Sequence, residues 1–152
     1  MNAMPRIASK KIKDEESFLR QLRVHGMKVT PQRLAVHRAM MELVHASADM
    51  VKQRIGDSCR ISTVSVYGIL SELADKGIYS RRMSATSKMF FDIDPRRHVH
   101  LYDSRNNEFL DVNDDTLLPL VESGLRGKRF RGYKMDGIDI QIICHPTRKK
   151  VL

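Results

Sequence analysis

The sequence is poor in cysteine, and the two cysteines it has stand far apart. Cys59 and Cys144 form no CxxC pair, which excludes a disulfide framework and a zinc site built on four cysteines. The chain also lacks an apolar run near the roughly 20 residues that cross a bilayer. Its basic first residues carry no apolar signal stretch. We therefore expect a cytoplasmic protein with no membrane partner.

Signatures of catalysis are missing as well. The 152 residues contain no nucleophile motif and no glycine-rich phosphate loop. The alternative of an enzyme would need a metal cluster with an open coordination position. It would also leave the positive charge of the chain without a role, so we expect a protein that is not an enzyme.

Positive charge is what the chain has in excess, and it is concentrated in the first part. The formal net charge is +9, from 27 Lys and Arg against 18 Asp and Glu. Residues 1–97 hold 18 of the cations and 10 of the anions, whereas residues 98–152 hold 9 and 8. A basic field confined to one part is typical of proteins that bind a polyanion, with DNA or RNA the first candidates.

Capping residues and apolar periodicity predict four helices in the first part. They are expected over 14–24, over 31–44 after Thr30-Pro31, over 48–55 after Ser47, and between Ser62 and Gly77. Two short extended runs, "IYSRRMS" and "SKMFFDI", then surround "ATS" and predict a β-hairpin. Helices followed by a hairpin are the element order of a winged helix-turn-helix.

Pro95 interrupts this pattern, so we place a hinge at 93–97. Beyond it, "HVHLYD" and "EFLDV" predict two strands, followed by a helix over 114–125 and a strand in "GIDIQIICH". The predicted fold class is α+β. It has an N-terminal winged helix-turn-helix domain over 1–92 and a small C-terminal α/β domain over 98–152.

A helix-turn-helix reads DNA with the early residues of its second helix, here in "STVSVYGIL". Thr63, Ser65 and Tyr67 would offer hydroxyl groups to phosphates and bases there, although each alone is also an ordinary residue near a helix cap. Cations expected to reach backbone phosphates lie in the N-terminal arm, in "TPQR" and on the wing: Lys10, Lys11, Lys13, Arg33, Arg81 and Arg82.

Two histidines, His98 and His100, stand in the first strand of the second part. Residues i and i+2 of a strand point to the same side, so the two imidazoles are expected to share one face. Such a pair alone is weak support for a metal site. The support grows if Asp92 at the end of the wing, Asp111 on the partner strand and His45 at the start of the third helix converge on it.

Five stretches together resemble the ferric uptake regulator superfamily: "GMKVTPQRLAV", "HASADMV", "STVSVYGILSELADKGI", "FFDI" and "HVHLYD". They follow the order and spacing of that family over residues 18–145. The resemblance implies a metal-responsive transcriptional regulator, expected to be a repressor. Its first domain would bind double-stranded operator DNA, and its second would form a homodimer.

The resemblance also implies one regulatory divalent metal per subunit between the two domains. The ligands carried over motif by motif are His45, Asp92, His98, His100 and Asp111. Three imidazoles and two carboxylates suit Fe²⁺, Mn²⁺ or Zn²⁺. The spacing of these ligands is similar to that of the peroxide-sensing and haem-responsive branches, so haem and peroxide stay open as further signals for iron or metal homeostasis.

The chain departs from the family at its structural zinc site. Asp103 and Asn106 occupy the positions of the first CxxC pair, and only Cys144 remains of the second, so no structural Cys₄ zinc is expected. The branch that looks closest is the iron response regulator of alphaproteobacteria, which also lacks the CxxC pairs. That branch has histidine where this chain has Val99, and no Cys-Pro haem motif is present.

One alternative stays open within DNA binding. The five histidine and aspartate side chains could form only a structural hydrogen-bond network in a constitutive DNA-binding dimer. The metal content of the purified protein separates this alternative from a metal-responsive regulator.

Overall fold

The structure, a computed structural model, describes residues 6–7 and 14–148. Two compact units divide them: residues 14–96 form the first, and residues 6–7 with 97–148 form the second. In the described part of the chain, no helix is long and apolar enough to cross a membrane. The exact limits and the roles expected for the two domains stay predictions.

The elements follow one another in the order β1 (Arg6–Ile7), α1 (Glu15–Val24), α2 (Pro31–Leu43), β2 (His45–Ala46), α3 (Ala48–Ile55), α4 (Thr63–Asp75), β3 (Ser80–Met83), β4 (Met89–Asp92), β5 (Val99–Asp103), β6 (Glu108–Asn113), α5 (Leu117–Leu125) and β7 (Gln141–Cys144). The mixture of helix and sheet confirms the predicted α+β class.

Each helix of the first unit begins after a capping side chain, which was predicted for Thr30, Ser47 and Ser62, whereas Asp14 was expected to be the first residue of its helix. The side chains of Asp14, Thr30, Ser47 and Ser62 each accept a hydrogen bond from the backbone N–H three residues later. These bonds satisfy N–H groups that have no partner within the helix, which is why such residues favour helix starts. The four predicted helices of this unit are confirmed, with ends that differ by no more than two residues.

The first unit also has a three-stranded antiparallel sheet in the order β2-β4-β3. The predicted hairpin is confirmed as β3 and β4, with Arg81 opposite Phe91. Strand β2 was not predicted, and it places His45 directly opposite Asp92. The expectation that His45 starts the third helix was wrong, because α3 begins three residues later at Ala48.

One hydrophobic core fills the first unit. Phe18 of α1, Met40 of α2, Leu70 of α4 and Phe91 of β4 are all buried in it. On α4 the stripe Val66, Leu70 and Leu73 faces this core. The opposite side of α4 is therefore left exposed, as a recognition helix of a helix-turn-helix would require.

The second unit is a four-stranded sheet in the order β1-β6-β5-β7. Strands β5 and β6 are antiparallel, and β7 lies parallel to β5 at the sheet edge. The buried apolar residues of this unit are few: Val99, Tyr102, Phe109 and Val112. Helix α5 buries none of its own residues.

Helix α5 begins three residues later than predicted. The carboxylate of Asp114 accepts hydrogen bonds from the backbone N–H and the hydroxyl of Thr116, at 2.7 and 2.6 Å. These bonds lower the pKa of the Asp114 carboxyl and form a turn before the helix. Asp114, the predicted first residue of the helix, therefore belongs to this turn.

Candidate metal centre

Two imidazoles and one carboxylate meet on the sheet of the second unit. His98 Nε2 lies 2.8 Å from Asp111 Oδ1, and His100 Nε2 lies 3.1 Å from the same oxygen. Strand register causes the meeting, because His100 is directly opposite Asp111 and His98 stands two residues before His100. The ring centroids are 4.1 Å apart. The prediction that both imidazoles share one face is confirmed.

Packing fixes the inner imidazole of this group. His100 is fully buried and lies edge-on against the ring of Phe109, with centroids 5.7 Å apart. Its backbone N–H donates to the carbonyl of Ile140 at 3.1 Å. The side chains of His98 and Asp111 keep 17% and 18% of their exposure, so the group has one side that a solvent ion can reach.

A second imidazole–carboxylate pair lies in the first unit. His45 Nε2 is 3.3 Å from Asp92 Oδ2, and the side chains are only 8% and 1% exposed. The other oxygen of Asp92 accepts from the backbone N–H of Asp94 at 2.8 Å. The guanidinium of Arg82 lies 3.5 Å from Asp92 Oδ2. These contacts give the buried carboxylate the polar partners that a buried polar group needs.

The donor set of both groups fits a divalent transition metal. Imidazole nitrogen suits zinc and iron, and carboxylate oxygen suits manganese, so the combination can accept any of the three. In the second unit the Nε2 atoms of His98 and His100 face one oxygen of Asp111. A cation placed between these three atoms could take one ligand from each of the three side chains.

Hydrogen bonds within the protein close the turn where relatives were expected to carry a CxxC pair. Asp103 accepts from the backbone N–H groups of Arg105 and Asn106, both at 3.0 Å, and from the amide of Asn106 at 2.7 Å. Cys144 lies opposite Asp103 in the β5–β7 register. Its thiol and that of Cys59 are free.

The outer side of α4 is exposed near its start. Thr63 is exposed there, and Tyr67 is 46% exposed with its ring edge-on to Phe91 at 5.8 Å. The hydroxyl of Ser65 accepts from the cap residue Ser62 at 3.0 Å. Val64, which the sequence analysis missed, is 82% exposed on this side. The sequence signal for this exposure is that Val64 is apolar but lies outside the buried stripe of Val66, Leu70 and Leu73 on α4.

The arginines expected to bind phosphates form contacts within the first unit. Arg33 donates to Glu72 at 3.0 Å, and Arg81 pairs with Asp75 and with the carbonyl of Ser71. Arg82 faces the buried Asp92 carboxylate described above. Their role in DNA binding stays a prediction. The other expected phosphate contacts, Lys10, Lys11 and Lys13, lie outside the described residues.

Fold and side chains together define a class: a two-unit α+β protein with a winged helix-turn-helix and imidazole–carboxylate groups suited to a metal. The sequence profile of the ferric uptake regulator family matches residues 24–142, and the chain belongs to that family. Its assignment to the branch without CxxC pairs stays a prediction.

Individual relatives agree with this membership. The peroxide-responsive repressor PerR of Staphylococcus aureus is 31% identical over 88 residues, which is 57% of this chain and 60% of that protein. The chain thus spans about three fifths of the length of the curated relatives it matches.

Solved structures show the same fold. The ferric uptake regulator of Vibrio cholerae is similar with a TM-score of 0.68 and 21% identity, over 84% of this chain and 98% of that chain. The Helicobacter pylori regulator, which has three functional metal-binding sites, reaches a TM-score of 0.68 and 20% identity, over 91% and 95%. Identities this low establish the fold alone.

Proposed function

We propose that this chain is a metal-responsive DNA-binding transcriptional regulator, a repressor that acts in the cytoplasm as a homodimer on operator DNA. The observation that carries the proposal is the shared oxygen of Asp111, which both His98 and His100 approach. The name of the PerR relative, a peroxide-responsive repressor, supports the regulatory role. Membership of the ferric uptake regulator family supports the metal.

One divalent metal per subunit, Fe²⁺, Mn²⁺ or Zn²⁺, would take ligands from both imidazole–carboxylate groups. These ligands are His98, His100 and Asp111 from the second unit and His45 and Asp92 from the first. When bound, the metal supplies a positive charge that both carboxylates can share. It can change DNA affinity only by binding one arrangement of the protein more tightly than another.

Contacts within the first unit connect a proposed ligand to the proposed reading helix. Asp92 ends strand β4, and its neighbour Phe91 packs edge-on against Tyr67 of α4. A shift of the Asp92 carboxylate would therefore displace Phe91 and, through it, Tyr67 on the exposed side of α4. Couplings of this kind are typically about 1–3 kcal/mol, which corresponds to about 5- to 150-fold in affinity.

Uncovered apolar surface in the second unit supports a homodimer. Leu120 of α5 is 68% exposed and Ile143 of β7 is 62% exposed. Because β7 is an edge strand and α5 buries nothing, both elements lack the cover that such surfaces normally have. A second copy would cover the same surface on both partners at once.

The metal site is tested by titrating the purified protein with Mn²⁺ in a calorimeter. We expect one ion per subunit, and binding at least 10-fold weaker in Asp111→Asn, which keeps the shape of the side chain but loses its charge. His145→Ala, which removes an exposed imidazole from the same unit, is the control and should bind normally. Unchanged binding in Asp111→Asn would refute the site.

The alternative of a constitutive DNA-binding dimer has one observation in its favour. The Nε2 atoms of His98 and His100 lie within hydrogen-bonding distance of Asp111, and in this alternative such bonds serve only to hold the second unit together. In that case Asp111→Asn would lower stability, and DNA affinity would not respond to metal. Parallel titrations with haem, and with peroxide after Fe²⁺ loading, test the two further signals.

A further inference from the structure

A strongly basic loop follows α5 in the second unit. Between Ser123 and Met135 the chain has five cationic residues and no acidic one. All five are exposed to solvent: Arg126, Lys128, Arg129, Arg131 and Lys134. We call residues 126–134 the basic loop.

The charges of the basic loop have no neutralising partner in the described part of the chain. Among the residues that the structure describes, none forms an ion pair or a side-chain hydrogen bond with the five cations. Arg33 and Arg38 of the first unit differ, because they pair with Glu72 and Glu15. The loop therefore offers its full charge to a partner outside the molecule.

Two aromatic rings stand among these cations. Phe130 is 51% exposed and Tyr133 is 83% exposed. The Tyr133 N–H donates to the Phe130 carbonyl at 2.9 Å, with Gly132 between them at a φ of 82°. This tight turn holds both residues at the rim of an open cleft of about 530 Å³. The rings are presented outwards rather than packed into a core.

Free cations beside exposed rings are the two components of single-strand recognition. The cations attract backbone phosphates, and each ring offers a face on which an unpaired base stacks. A duplex would engage only the cations, because its bases are already stacked on one another. An acidic peptide would likewise leave the ring faces without a matching group.

We propose that the basic loop binds single-stranded RNA, with Phe130 and Tyr133 stacked on bases and the cations placed against phosphates. The proposal names RNA because cellular DNA is held mostly as a duplex, whereas RNA offers unpaired bases. This activity goes beyond the DNA-binding function proposed above and does not depend on it.

The test measures fluorescence anisotropy of a labelled oligouridine of about 12 nucleotides with the full chain. Phe130→Leu/Tyr133→Leu keeps apolar bulk but removes both ring faces, and we expect about 5- to 150-fold weaker binding. Arg129→Gln/Arg131→Gln should lower the slope of log affinity against log salt by about 1.4, or about 0.7 per lost phosphate contact.

A charge-matched control is available in the same unit. Arg105→Gln/Arg148→Gln removes two exposed cations outside the loop and should leave RNA affinity within about twofold of the wild type. Far-UV circular dichroism checks that the variants fold, which we expect because every substituted residue is exposed.

Three outcomes would overturn the RNA proposal. The first is equal oligouridine binding by the wild type and the leucine pair. The second is an equal loss, in the leucine pair, of binding to a DNA duplex of the same length, whose paired bases cannot stack on the rings. The third is equally tight binding to phosphatidylcholine–phosphatidylserine vesicles. Metal-dependent duplex binding, measured on the same proteins, reports on the DNA-binding function separately and should survive in the leucine pair.

Discussion

The two units of this chain differ in how completely each covers its own apolar surface. The first has a continuous core in which Phe18, Leu22, Val36, Leu70 and Leu73 are all fully buried. The second buries few apolar side chains, and its helix α5 and edge strand β7 lie largely uncovered. The first unit therefore covers most of its own apolar surface, whereas the second leaves the surface on which we propose that a second copy packs.

The two units also differ in how their charged side chains are paired. In the first unit, six arginines are matched to acids within the fold. One of them is Arg38, whose guanidinium lowers the pKa of the exposed Glu15 carboxyl by hydrogen bonding. In the second unit, the five cations of the basic loop have no such match among the described residues. Both proposed partner surfaces, for a second copy and for RNA, thus lie on the unit whose apolar and charged groups have fewer contacts within the described residues.

The largest effect expected from this contrast is in the core. Leu70→Ala removes a fully buried side chain of α4 and should lower the free energy of unfolding by about 2–5 kcal/mol. Leu120→Ala, at a leucine of α5 that is 68% exposed, should change it by less than about 0.5 kcal/mol in the isolated monomer. Urea unfolding followed by circular dichroism measures both. Similar losses of unfolding free energy in the two variants would contradict the difference in burial between the units.

The next effect concerns the uncovered surface. Leu120→Asp/Ile143→Asp places charges on α5 and β7, and we expect the dimer to weaken by about 2–4 kcal/mol. Sedimentation equilibrium measures the change. Val24→Asp, at an 81% exposed valine of the first unit, is the matched control and should leave the dimer intact. A dimer that tolerates the double substitution would show that the partner surface lies elsewhere.

A smaller effect is expected from Tyr79, whose hydroxyl lies 2.7 Å from His37 Nδ1 in the core of the first unit. Burial raises the pKa of this hydroxyl well above its ordinary value. Since the unfolded chain then ionises first, the contribution is present below about pH 10 and is lost as the pH rises further. Tyr79→Phe should cost about 0.5–1.5 kcal/mol near neutral pH and reduce the alkaline loss of stability.

The exposed Tyr133 serves as the control for this measurement. Tyr133→Phe should keep both the stability near neutral pH and the alkaline decline of the wild type, because this side chain is 83% exposed. An alkaline decline that is the same in all three proteins would mean that Tyr79 is not its source.

The smallest expected effect is an increase in the free energy of unfolding from a substitution in α4. Gly68 is exposed in α4, and a Cβ placed there would meet nothing within 4 Å. Gly68→Ala should therefore stabilise the first unit by about 0.5–1 kcal/mol, measured by urea unfolding. The added methyl should also change the affinity for duplex DNA if this side of α4 contacts the groove. Unchanged DNA affinity would count against that contact surface.

Local signals explain what could be predicted from the sequence. Caps such as Thr30 and Ser47 act within one helical turn, so the helices of the first unit were predicted almost to the residue. The pairing of His98 and His100 followed from strand alternation alone. Strand β2 carried no such signal, because two residues are too few to show an alternating apolar pattern. Its partner strand β4 is also distant in the sequence.

Long side chains were harder to predict for the same reason. Arg33 contacts Glu72, which is 39 residues away in the chain, and its expected phosphate contact stays a prediction. The same limit applies to Arg81, whose partner Asp75 lies on α4. Nothing local in the sequence indicates which acid a flexible guanidinium will meet. The exposure of Val64, in contrast, has a local signal, because this apolar residue lies outside the stripe of Val66, Leu70 and Leu73 on α4.

The central claim is that a metal held by these histidines and aspartates controls DNA binding. Its most direct test is the affinity of the full chain for a duplex selected from a random pool, measured with Mn²⁺ and with a chelator. We predict that the wild-type affinity changes about 5- to 150-fold between the two conditions and that the affinity of Asp111→Asn does not. An equal response in both proteins, or no response in the wild type, would contradict the claim.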